Sequence, residues 1–83
     1  MGSGTLVLYV RKDGDVDASL YDEKGLLARK QELTSVKHIK IEADKCVSDI
    51  SFAEFENAIV VRASGKVDLK LRSGVLEVYC VGR

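Results

Sequence analysis

A chain of 83 residues has room for one small domain, and a domain of that size buries only about 60–65% of the surface its unfolded chain exposes. Apolar residues at 46% and charged residues at 31% describe a folded globular chain rather than a disordered one. The 13 basic and 13 acidic side chains cancel, with eight of each in residues 1–45 and five of each in residues 46–83, so no overall field draws the chain to a polyanion or an acidic membrane.

Met1-Gly2-Ser3-Gly4 reads as a leader left by expression, which leaves a single domain over residues 5–83. From Thr5 onward the apolar residues alternate with a period of two, interrupted by glycine-containing turns, and that pattern predicts strands. The first strand, Thr5 to Lys12, places Leu6, Leu8 and Val10 on one face and Val7 and Tyr9 on the other. Its longest apolar run, Leu6 to Val10, is far too short to cross a bilayer or to form a signal-peptide core. Asp13-Gly14 suits a two-residue type I′ turn, and Asp15 to Tyr21 returns as the second strand with Val16, Ala18 and Leu20 toward the core. That loop length sets Tyr21, Ser19 and Asp17 across from Leu6, Leu8 and Val10.

Asp22-Glu23-Lys24-Gly25 reads as a type I turn closed by a left-handed glycine, and Leu26 to Leu33 as the third strand. Val36 to Ala43 is the fourth, with Ile39, Ile41 and Ala43 inside and His38, Lys40 and Glu42 outside. Residues 51–57 fit two descriptions. Ser51-Phe52-Ala53-Glu54 matches a capping box for a short helix, and the same residues match a strand with Ile50 and Phe52 inside that turns at Glu56-Asn57.

Two hairpins account for Ala58 to Val81. A two-residue loop at Ser73-Gly74 makes Leu71 face Leu76, Leu69 face Val78 and Val67 face Cys80, while Lys70 faces Glu77 on the other side. A three-residue loop at Ser64-Gly65-Lys66 makes Val61 meet Leu69 and Arg62 meet Asp68, which predicts a three-stranded meander. The fold class expected is therefore all-β: a small antiparallel sandwich or barrel of seven to eight short strands with hairpin and meander connections and at most one short helix near 51–57.

Chemistry-bearing motifs are sparse. Asp13, Asp15 and Asp17 open like a calcium loop, but the positions that need glycine and a bidentate glutamate hold Ala18 and Lys24. His38 is the only histidine, and neither it nor the cysteines stand in metal-ligand spacing. No phosphate loop or nucleophile elbow occurs, so an enzyme is not expected, nor any metal or cofactor. Cys46 and Cys80 are a single pair and no disulfide framework, and are read as reduced, buried thiols, which favours the cytoplasm.

By elimination the chain is expected to be a protein-binding or assembly module acting through a sheet face or an edge strand, with a protein partner or a second copy of itself. The face proposed from the first hairpin carries Leu6, Leu8, Val10 and Tyr21. The competing account of that face is a core covered by a second sheet. One alternative function is a nucleic-acid-binding small barrel using Tyr9, Tyr21 and Tyr79 with Arg62, Lys66, Lys70 and Arg72, although Asp68 and Glu77 are expected to engage two of those cations. Another is a structural subunit of a larger homo-oligomeric assembly.

Overall fold

The computed structural model describes residues 4–43 and 45–81, which form eight strands. These are β1 (Gly4–Arg11), β2 (Val16–Tyr21), β3 (Leu27–Leu33), β4 (His38–Glu42), β5 (Val47–Phe55), β6 (Ala58–Gly65), β7 (Val67–Arg72) and β8 (Val75–Cys80). A five-stranded sheet in the order β3-β2-β1-β6-β5 lies against a three-stranded sheet in the order β4-β8-β7. The chain is thus the all-β sandwich that its alternation predicts, and no helix occurs among the described residues. Residues 51–57 resolve in favour of strand β5 and its turn.

The core is what the two inner faces share. Leu6 and Leu8 of β1, Val16 and Ala18 of β2 and Val61 of β6 form one buried cluster with Val67, Leu69, Leu76 and Val78 of the smaller sheet. Burying a leucine or valine side chain in this way is worth about 1.5–3 kcal/mol each.

Two turns follow their sequence signals closely. Ser73 and Gly74 both adopt positive φ, 53° and 80°, and the β7–β8 ladder has the expected register, with Leu69 opposite Val78 and Lys70 opposite Glu77. Gly25 takes φ 87° after a type I turn in which the Asp22 carboxylate accepts the amides of Lys24 and Leu26, each at 2.9 Å.

The first hairpin departs from expectation. Its loop has three residues, Lys12-Asp13-Gly14, closed by an Arg11 amide donating to the Asp15 carbonyl at 2.9 Å, with Gly14 at φ 95°. The ladder therefore pairs Leu6 with Leu20, Leu8 with Ala18 and Val10 with Val16. Every apolar residue of the two strands that points inward now meets another, which is why this register wins over the two-residue loop.

The meander also needs correction. β6 does not pair with β7; it lies between β1 and β5, and the chain crosses to the other sheet at Gly65-Lys66. Arg62 faces Val7 and Ser51, and Asp68 forms its ion pair with Arg29 instead. A glycine-centred hairpin signal and a glycine-centred corner look the same in sequence. Here the glycine is demanded by close approach, since a Cβ on Gly65 would sit 2.9 Å from the Val47 Cα. β4 runs parallel to β8, so the connections are not all hairpins.

Cys46 and Cys80 form a disulfide with a Cα–Cα distance of 5.9 Å, overturning the reading of two reduced thiols. It staples the entry to β5 in one sheet to the end of β8 in the other. A formed bridge belongs to oxidising surroundings, which removes the ground on which a reducing compartment was favoured. The first three residues of the expected leader lie outside the described residues, but Gly4 belongs to β1, where a side chain would collide with the Tyr21 carbonyl.

Candidate protein-binding edge

The face expected to bind a partner is split by the structure. Leu6 and Leu8 are each 1% exposed and lie under the second sheet, with Val10 half-buried against the same core. Tyr21 alternates to the outside of the larger sheet, opposite Thr5. Buried side chains cannot offer a surface, so the core account of Leu6, Leu8 and Val10 replaces the interface account. The mixed, interface-like set came from a hairpin register one residue out of step.

Exposed apolar side chains stand at both edges of that sheet, Leu26 and Leu27 at the start of β3 and a larger group along β5 and β6. Phe52 is 62% exposed and Ile50 39% on β5, and Ile59 is 45% exposed on the neighbouring β6. The register places Ile50 opposite Ala63, Phe52 opposite Val61 and Glu54 opposite Ile59, all on the core-facing side. These residues have the alternation of a core strand without a cover, because three strands cannot roof five. Phe55, 55% exposed, points to the opposite side at the turn.

The backbone of β5 is equally available. In a two-residue hairpin the residues flanking the loop exchange both hydrogen bonds, and bonding then alternates along the ladder. Phe55 and Ala58 flank the loop at Glu56-Asn57, where Glu56 adopts φ 53°. Phe55, Ala53 and Ser51 therefore bond to β6, while the peptide groups of Glu54, Phe52 and Ile50 point to the free edge.

The other outer strands carry the features that discourage pairing with another chain. On β3, Arg29 sits on the core-facing side and is ion-paired to Asp68, and Lys30 and Glu32 follow. β4 has only five residues and carries Lys40 beside Glu42 at 3.4 Å. β7 bears Lys70 and Arg72. β5 has nine residues, no proline, lysine or arginine, and one irregularity between Val47 and Asp49.

Other candidates do not assemble. Asp13 accepts the Asp15 amide at 3.0 Å and Asp17 pairs with Arg11 at 2.6 Å, so these carboxylates serve the turn and the strand. No group of three or more His, Cys, Asp or Glu able to hold a metal occurs among the described residues. Tyr9 and Tyr21 lie on the outside of the five-stranded sheet, and Tyr79, with Lys70 5.4 Å over its ring, on the outside of the three-stranded sheet. The residues named for a single-strand binding face are thus divided between two sides of the molecule, Arg62 with Tyr9 and Tyr21 on one and Lys70 with Tyr79 on the other. An open hollow beside Tyr21, Leu26, Lys66 and Val81 gathers no catalytic constellation. Comparison with known proteins returned no matching family, no matching curated relative and no matching solved structure.

The β5 edge was within reach of the sequence. Residues 51–57 fit a helix as well as a strand, but the stretch from Val47 to Val61 holds Asp49, Glu54 and Glu56 without any lysine or arginine, a charge asymmetry that the balance over each half of the chain does not show.

Proposed function

We propose that this chain is a non-enzymatic protein-binding module that receives an extended segment of its partner along the free edge of β5. The observation that carries the reading is an outer strand of nine residues whose core-facing Ile50 and Phe52 are exposed and whose edge has none of the basic or proline residues that deter pairing. An added strand gains main-chain hydrogen bonds from the edge and covers alternate side chains, the usual economy of β-augmentation.

A displayed library of random peptides selected against the folded chain tests this. Enriched peptides should alternate apolar and polar residues and shift the amide resonances of Ile50, Phe52 and Glu54. Phe52→Asp should abolish their binding while leaving the fold intact, because the ring is 62% exposed and such surface changes cost about 0.5 kcal/mol or less. Ligands that perturb only the outer face of the five-stranded sheet, or no enrichment at all, would count against the reading.

A further inference from the structure

We infer that the segment received by β5 is a basic one, with apolar residues at alternate positions flanked by lysine or arginine, and running antiparallel to β5. This rests on the edge being the docking site and adds the chemistry of the occupant. Elsewhere on the strands the acids Asp17, Glu42, Asp68 and Glu77 have cationic partners on this same chain, and only Glu32 of β3, opposite Asp17, has no ion pair among the described residues. Among the described residues no ion pair engages Asp49, Glu54 or Glu56, and these three surround the exposed Ile50 and Phe52. The nearest cation by register, Arg62, faces Ser51 from β6, on the side of β5 away from the free edge.

An incoming strand must meet two demands at once. On the core-facing side it sees Glu54, Phe52 and Ile50, and on the outer side Phe55, Ala53, Ser51 and Asp49. Directly opposed side chains on paired strands lie about 4.5–5.5 Å apart, close enough for opposite charges to attract and like charges to repel. The fitting sequence therefore has a cation across from Glu54, apolar residues across from Phe52 and Ile50, and a cation across from Asp49. A second copy pairing β5 with β5 brings only acids to that edge and so lacks the cations.

A short synthetic peptide carries the test, with lysines opposite Glu54 and Asp49, valines opposite Phe52 and Ile50, and threonines elsewhere. Titrated into the labelled full chain, it should shift the Ile50, Phe52 and Glu54 amides and bind about tenfold more tightly than the same peptide with glutamates for lysines. That preference should shrink with added salt and invert in the Asp49→Lys, Glu54→Lys double variant, both sites being exposed. Equal binding of the two peptides at β5 would overturn the basic partner and leave edge docking standing. Failure of both at β5 would overturn the two proposals together. Concentration-dependent dimerisation through β5, lost in Ile50→Pro, would identify a second copy as the occupant and overturn the inference.

Discussion

Reducing the Cys46–Cys80 bridge should weaken this fold more than any single surface change. The two half-cystines are 34 residues apart in sequence, and closing a loop of that length in the unfolded chain is worth about 3.8 kcal/mol at 25 °C on the chain-entropy model. A domain of 83 residues has a total stability of roughly 4–12 kcal/mol, so reduction removes between a third and nearly all of it. For a chain this size each kcal/mol moves the melting temperature by about 4–8 °C, and the expected fall is about 15–30 °C. Reduction is the cleaner perturbation because both sulfurs stay in place against the core, whereas alanine at either position would add a cavity. Far-ultraviolet circular dichroism melts of oxidised and reduced chain, with thiols counted at the start of each, make the measurement. A reduced chain melting within about 3 °C of the oxidised one would refute the loop-closure argument, since that shift corresponds to less than 1 kcal/mol.

Leu8→Asp places a carboxylate in the core and should cost several kcal/mol in urea titration, where Phe52→Asp costs almost nothing; equal costs would contradict the burial described here. Gly65→Ala should destabilise by about 1–3 kcal/mol, because the new methyl group meets the backbone of Cys46 and Val47 rather than a movable side chain; a variant as stable as the parent would show that the corner yields. A double-mutant cycle on Lys70 and Glu77, 3.8 Å apart, should return about 0.2–1 kcal/mol of coupling, and the same cycle on Arg62 and Asp68 should return none.

Strand positions were legible wherever alternation and turn chemistry agreed. The β7–β8 ladder could be written residue by residue, because its two-residue loop, its apolar face and its Lys70–Glu77 pair all require one register. The β1–β2 ladder, one residue off the expected register, has no charge pair of that kind to fix it. Asp-Gly serves both as a complete two-residue loop and as the end of a three-residue one, and only pairing Leu6 with Leu20, Leu8 with Ala18 and Val10 with Val16 puts all six on one side. The crossing at Gly65 was beyond local reasoning. Whether β6 turns back on itself or changes sheet depends on what else competes for its edges, and β1 and β5 together occupy both.

Once Leu6 and Leu8 are accounted for as core, the unexplained apolar surface is what the three-stranded sheet fails to roof, and the two ends of the larger sheet treat that shortfall differently. At β3 the core-facing positions run from Leu33, packed against the core, to Gln31 and Arg29, and the Arg29 guanidinium reaches across to Asp68, so the uncovered end of that flank is polar and tied down. At β5 the equivalent positions carry Ile50 and Phe52, with Glu54 beyond them beside the turn. Both flanks meet the same solvent and both strands are outermost in the same sheet, so exposure alone would favour polar residues on each. Stability of the isolated chain gives no reason for the apolar choice at β5, since Phe52 remains 62% in water. A surface covered by another chain does give one, and it accounts for the bare backbone edge and the unpaired acids of the same strand together.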